Sequence, residues 1–164
     1  MPGDFSDESR RSKLSVQGLY KHFSQQGEQL LVLDNINLYV EANEFVSIVG
    51  ASGCGKSTLL NIIAGLMPAS AGGVLMDGEV IEDPGPDRGM VFQSYTLFPW
   101  LTVAENISFG LKLQRLSKAA IQERVFHYLA IVGLTQFAQA YPKQLSGGMK
   151  QRVAIARALA NNPE

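Results

Sequence analysis

The chain has 164 residues, enough for one domain with a real core, and its 46% apolar and 18% charged residues exclude a disordered or collagen-like polymer. Fourteen Lys and Arg against 15 Asp and Glu leave a net charge of -1, so no overall basic field draws the chain to nucleic acid or anionic lipid. The single cysteine, Cys54, closes no internal disulfide, and no His/Cys cluster has metal-ligand spacing, which suits a reducing compartment.

Residues 1–13 are polar, carry Asp4, Asp7, Glu8, Arg10 and Arg11, lack the apolar stretch of a signal peptide, and read as a disordered tail. Residues 14–23 and 30–40 are strand-like, and the Gln25-Gln26-Gly27-Glu28 break between them predicts a hairpin. Residues 44–49 form a compact apolar run that stops at glycine, the pattern of a strand buried on both faces of a parallel sheet. Residues 57–67 then follow helical spacing, with Leu59, Ile63 and Leu66 on one face and Leu60, Ala64 and Met67 beside it. So wide an apolar surface predicts a buried helix, ended by Pro68. Its stretch from Leu59 to Met67 is about half a bilayer span and is broken by Asn61 and Gly65, so no membrane crossing is expected.

Residues 73–80 predict strand with a tight turn at Asp77-Gly78, Pro84-Gly85-Pro86 is loop, and residues 90–93 predict a second short apolar strand. Residues 94–144 change to helical character. Thr102 is placed to cap a turn running through Glu105; Ser117 caps a longer helix with Ile121, Val125, Leu129 and Val132 inward, and Gly133 stands where a C-cap belongs. The last helix is expected over residues 147–161, with Asn162-Pro163 ending it.

Gly50-Ala51-Ser52-Gly53-Cys54-Gly55-Lys56-Ser57 satisfies G-x-x-x-x-G-K-[ST] between a predicted strand and a predicted helix. Glycines let successive N–H groups turn toward a polyphosphate while the helix start adds the positive end of its dipole. Lys56 supplies an ammonium for the β- and γ-phosphates, and Ser57 a hydroxyl for Mg2+. The reading is nucleotide binding. Cys54 reads as a small loop residue turned away from phosphate, with a thiol sensor as the alternative.

A second serine-glycine helix start, Leu145-Ser146-Gly147-Gly148-Met149-Lys150-Gln151-Arg152, opens the last helix. Alone, Ser146 is an N-cap followed by two permissive glycines. In a chain that also carries a phosphate loop, the segment resembles the signature motif of the ATP-binding-cassette (ABC) ATPases. The resemblance runs from Leu14 to the last residue. Residues 43–66, Gly89-Met90-Val91-Phe92-Gln93, Leu97-Phe98-Pro99-Trp100-Leu101-Thr102-Val103-Ala104-Glu105-Asn106 and residues 141–160 look most like the nitrate/sulfonate/taurine importer subgroup.

The resemblance implies an α/β P-loop NTPase (RecA-like) core with an N-terminal antiparallel β subdomain and an inserted α-helical subdomain. The β subdomain and P-loop core would occupy residues 14–93, the helical subdomain 94–146, and the signature helix 147–164. It implies that Lys56 and the amides of Gly50, Ala51, Ser52, Gly53, Cys54, Gly55, Ser57 and Thr58 hold ATP. Ser57 and Gln93 would ligate Mg2+, with Gln93 as the Q-loop glutamine near the attacking water. Phe23 would stack on adenine, with Tyr20 as the alternative. Ser146, Gly147 and Gly148 would contact ATP held by a second subunit in a head-to-tail dimer. Phe98, Pro99 and Trp100 would meet a transmembrane permease served indirectly by a periplasmic or extracellular binding protein. The expected place is the cytoplasmic face of the cell membrane, as a peripheral subunit, with no nucleic acid partner. His22 and His127 read as surface or strand-edge residues, and Arg152 and Arg157 as solvated or paired on their own helix.

Family members continue past the signature helix into an apolar strand ending in Asp-Glu, which carries the Walker B aspartate and the glutamate that polarises water. This sequence reaches Asn161-Asn162-Pro163-Glu164, and its other acidic pairs lie in turns: Glu82-Asp83 precedes Pro84, and Asp77 and Glu79 flank Gly78. The chain is therefore expected to be truncated before Walker B, with little ATP turnover and limited stability alone. Three functions compete: an importer ATPase moving a small oxyanion, a non-hydrolysing ATP-binding remnant, and a soluble ABC ATPase or P-loop kinase. The signature argues against the kinase, and the aromatic segment after Gln93 favours a membrane partner.

Overall fold

The computed structural model describes residues 12–25 and 27–163, so most of the tail expected over residues 1–13 lies outside the described residues. The chain forms two compact units, Met1–Gly85 and Pro86–Glu164.

In the first unit, β1 (Leu14–Gln25) and β2 (Glu28–Val40) form the expected antiparallel hairpin, paired from Leu14 opposite Val40 to Gln25 opposite Glu28 with register shifts between Val16 and His22. On the other side of β1 lies β3 (Ala71–Met76), also antiparallel, and it turns into the two-residue β4 (Glu79–Val80), giving the order β2-β1-β3-β4. The turn falls at Asp77 and Gly78, both with positive φ, as the Asp-Gly pair requires for a tight hairpin. Helix α1 (Lys56–Ile63) packs Leu59 and Ile62 with Val16, Leu19, Leu33 and Val74, and this is the unit's core. Each such side chain, fully buried, contributes roughly 1.5–3 kcal/mol.

Two expectations for this unit need correction. The helix starts one residue earlier than the spacing suggests and ends at Ile63 rather than Met67. Gly65, not Pro68, ends it: its φ is +73°, and a Cβ there would lie 2.4 Å from the carbonyl oxygen of Asp83. Residues 44–49 form no strand, and Phe45 and Val49 are 92% and 89% exposed. Residues 90–93, in the second unit, likewise form no strand, and Val91 is exposed. The physical reason is shared. A hairpin strand finds its partner within a few residues, whereas a parallel strand depends on ladders from remote parts of the chain. Among the described residues neither segment has such a ladder.

In the second unit, α2 (Val103–Leu113), α3 (Lys118–Ile131) and α4 (Gly147–Ala160) are joined by two short 3-10 turns, Thr135–Phe137 and Pro142–Gln144. Val103, Ile107 and Leu111 of α2 meet Val125 and Leu129 of α3 and Val153, Ala156 and Ala160 of α4, with Leu134 and Leu145 closing the core. Ile121 and Val132 are half-buried against it, and Gly133 follows the C-cap of α3 with φ +69°. No helix among the described residues is long and apolar enough to cross a membrane.

The cap of α2 is reciprocal. The Glu105 amide donates to Thr102 Oγ1 (3.2 Å), while the Thr102 amide and hydroxyl both donate to Glu105 Oε2 (2.8 and 3.0 Å). These bonds, first the backbone one and then the hydroxyl, hold the Glu105 carboxyl below its ordinary value. A depressed folded-state pKa gives stability that is present above the unfolded value and is lost as pH falls through the folded one. Thermal melts of wild type and Glu105→Gln should therefore differ at pH 7, and the difference should shrink once the pH drops below about 4. A difference constant with pH would refute this.

Candidate functional site

Residues 50–55 curl ahead of α1, with Gly53 and Gly55 at φ +80° and +97°. Gly55 is required twice over, because a Cβ there would also lie 2.8 Å from Leu33 Cδ2 on β2. The curl sets the loop directly onto the helix start. Among the described residues the amides of Gly53, Gly55, Lys56, Ser57 and Thr58 donate to no protein acceptor; the first helical bond is from Leu59 to the Gly55 carbonyl. The Lys56 ammonium bends back over the loop and donates to the carbonyls of Gly50 and Ala51 (both 2.7 Å), with Cys54 Sγ at 3.6 Å. Gly50, Ala51, Ser52, Gly53, Cys54 and Ser57 are exposed, and Thr58 is half-buried. A row of free amides, a hydroxyl and one ammonium fits a polyphosphate with its Mg2+.

Phe23 is half-buried on β1, opposite Leu30, with the Lys21 ammonium 5.2 Å from its ring centroid. Lys21 also donates to the Pro68 carbonyl (2.7 Å). Tyr20, the alternative, is half-buried and pairs with Ala71 of β3. The structure thus brings Lys56, Ser57, Thr58 and their loop together in the first unit, which also holds Phe23 and Tyr20. Gln93 and Ser146 to Gly148 belong to the second. Among the described residues no group of three or more His, Cys, Asp or Glu is gathered to hold a metal.

Ser146 is the N-cap of α4: its Oγ accepts from the Met149 amide (3.3 Å), and its carbonyl accepts from Lys150 (3.0 Å). Gly147 and Gly148 are exposed on the first turn. A Cβ on Gly148 would meet nothing, whereas one on Gly147 would lie 3.3 Å from the Tyr95 hydroxyl. Gln93 is exposed, two residues ahead of Tyr95 and Thr96, which both have positive φ (+62° and +45°) without being glycine.

The segment after Gln93 is tied down by two residues whose importance the sequence concealed. Asn106 is fully buried; its Oδ1 accepts from the Phe98 amide (2.8 Å), and its Nδ2 donates to the carbonyls of Phe98, Leu101 and Thr102 (3.2, 3.1 and 2.9 Å). Arg157, read from sequence as solvated or paired on its own helix, is instead half-buried. It donates to the Thr96 carbonyl (2.8 Å), Thr96 Oγ1 (2.9 Å) and the Tyr95 carbonyl (3.4 Å), and burial lowers its pKa. Arg152, by contrast, is exposed as expected. Phe98 packs on Phe109 and Trp100 at ring-centroid distances of 4.5 and 5.6 Å, while Trp100 is 70% exposed. Beside them opens a cleft of about 380 Å³ lined by Met90, Thr96, Phe98, Phe109 and Arg157 among others. The half-buried arginine leaves no local signature, because its acceptors lie about 60 positions away on another segment.

The profile of the ABC transporter family matches residues 33–164. An uncharacterized ABC transporter ATP-binding protein of Methanocaldococcus jannaschii is 55% identical over 152 residues, covering 93% of this chain and 57% of that protein. The nitrate import ATP-binding protein NrtD of Synechocystis is 52% identical over 92% of this chain and 57% of its own length. The aliphatic sulfonates import ATP-binding protein SsuB of Bacillus cereus is 48% identical over 92% and 59%. The chain thus spans somewhat over half the length of the curated relatives it matches. Among solved structures, a dimeric ATP-binding cassette in a post-hydrolysis state bound to ADP and Pi superposes with a TM-score of 0.84 at 39% identity, over 92% of this chain and 70% of that one. Such a profile match, with relatives this close, is decisive: the chain belongs to the ABC transporter family, among its ATP-binding proteins.

Proposed function

We propose that this chain is the nucleotide-binding part of an ABC importer subunit, which couples ATP binding and hydrolysis to uptake of a small anion of the nitrate, sulfonate or taurine kind. The observation that carries the reading is the set of free amides of Gly53, Gly55, Lys56, Ser57 and Thr58 on the loop that the Lys56 ammonium folds over. The nitrate and sulfonate import relatives supply the anion class.

In this reading the Lys56 ammonium leaves the Gly50 and Ala51 carbonyls to meet the β- and γ-phosphates, where its charge offsets that of the transferred group. Phe23 stacks on adenine, and the amides of residues 50–58 orient the phosphates. Ser57 would hold Mg2+ through its hydroxyl and Gln93 through its side-chain amide. Bound there, the ion would neutralise charge on the β- and γ-oxygens. Gln93 also orients the attacking water. Ser146, Gly147 and Gly148 close over ATP held by a second copy, which makes the working unit a head-to-tail dimer. The subunit sits at the cytoplasmic face of the membrane, against a permease fed by a binding protein outside. Calorimetric titration with Mg-ATP tests the core of this proposal, and the absence of a saturable signal would end it.

The permease contact is assigned to Phe98, Pro99 and Trp100, since an exposed tryptophan backed by two phenylalanines is the usual form of an interface anchor. Trp100→Ala should reduce capture of the permease about tenfold while leaving Mg-ATP affinity unchanged. Equal capture by both forms would remove the assignment.

A further inference from the structure

We propose that Arg157 is a positioning residue: together with Tyr95 it fastens the 94–102 loop to the signature helix, so that the docking surface and Ser146 to Gly148 move as one body. The functional meaning rests on the docking and signature roles proposed above; the fastening itself does not.

The loop leaves Gln93 through a tight turn, in which Tyr95 donates to the Phe92 carbonyl (3.2 Å) and Thr96 to the Ser94 carbonyl (2.8 Å). Two consecutive residues of this turn have positive φ although neither is glycine, a conformation that persists only where surroundings hold it. Arg157 is what holds it. Its guanidinium spans Tyr95 O, Thr96 O and Thr96 Oγ1, and it also lies 5.6 Å from the Phe98 ring centroid. Among the described residues the guanidinium has no ion pair with a carboxylate, so its donors serve the turn. A planar fork reaches three acceptors at once, and a lysine ammonium at the same place does not reproduce that geometry.

The same loop approaches α4 a second time, at its opposite end. The Tyr95 hydroxyl sits where a Cβ on Gly147 would be 3.3 Å away, so the tip of the side chain reaches the signature turn. From Gly147 to Arg157 is nearly three helical turns, roughly 15 Å. One residue of the loop therefore reaches the first turn of α4 with its side chain and is bonded through its carbonyl near the last. Asn106 then carries the constraint onward by fixing Phe98 and Leu101, which frame Trp100. A displacement at Trp100 has to carry α4 with it through Arg157 or break this set of bonds.

Hydrogen-exchange mass spectrometry of the full chain tests the proposal without any partner. Arg157→Met should speed exchange at least tenfold both at residues 95–101 and at residues 149–151, with α3 unchanged, and Arg157→Lys should not restore it. Loosening of 95–101 alone, or no change at either segment, would overturn the proposal. If Arg157→Met loosens α3 as well, Tyr95→Ala in the Arg157 background decides: faster exchange at 149–151 supports the fastening, and unchanged exchange refutes it. A failed docking assignment would look different, with Trp100→Ala still capturing permease while the two segments remain coupled in exchange.

Discussion

Lys56→Ala is expected to weaken Mg-ATP binding about 100-fold, the equivalent of roughly 3 kcal/mol, while changing the stability of the free protein by less than about 0.5 kcal/mol. The asymmetry follows from where the ammonium rests. In the free chain it is held by two carbonyls of its own loop, Gly50 and Ala51, which are exposed and return to water without penalty when the side chain is removed. In the bound state the same ammonium faces phosphate charge, and a charge-assisted bond to an anion is about twice as strong as a neutral one. Titration calorimetry alongside urea denaturation separates the two effects. A loss of affinity below about threefold would show that the amides alone hold the phosphates.

Asn106→Leu should destabilise the chain by about 3 kcal/mol, because the apolar side chain fills the space but leaves the Phe98 amide and the Leu101 carbonyl without their partner. An unmade bond to a buried backbone group costs about 1–3 kcal/mol, and here two or more are lost together. The consequence should be visible locally. Trp100 is the only tryptophan, so its emission reports the loop directly. We expect a shift in that emission and stronger quenching by acrylamide, with helical circular dichroism retained below the transition. A variant as stable as wild type would mean that the loop is held by its aromatic contacts alone.

What the sequence made legible was local chemistry. The hairpin at residues 25–28, the Asp77-Gly78 turn, the Thr102 and Ser117 caps and the Ser146 helix start each depend on residues within a few positions of one another, and all are present. The phosphate loop was legible for the same reason, since its glycines, lysine and serine are contiguous. Residues 44–49 and 90–93 were misread because an apolar run states only that a strand would like to be covered, not that a neighbour is there to cover it. Helix α1 was drawn too long because periodicity continued through Leu66 and Met67, whereas the backbone turned at Gly65. Arg157 was hidden for another reason: its acceptors are main-chain carbonyls about 60 positions away, at two residues whose types give no hint of a positive φ.

The uncovered run at residues 44–49 also bears on how firmly the phosphate loop can be poised. Lys56 and Ser57 stand on α1, whose Leu59 and Ile62 anchor one shoulder of the loop in the core. The other shoulder leads into a segment with no ladder bonds, where every residue from 44 to 54 is exposed. A ligand that freezes residues 50–53 from this state must offset roughly 1–2 kcal/mol of backbone entropy for each residue it orders. Whatever stiffens that shoulder in advance removes the charge from the binding step, so nucleotide affinity becomes a gauge of how completely the neighbouring sheet has assembled.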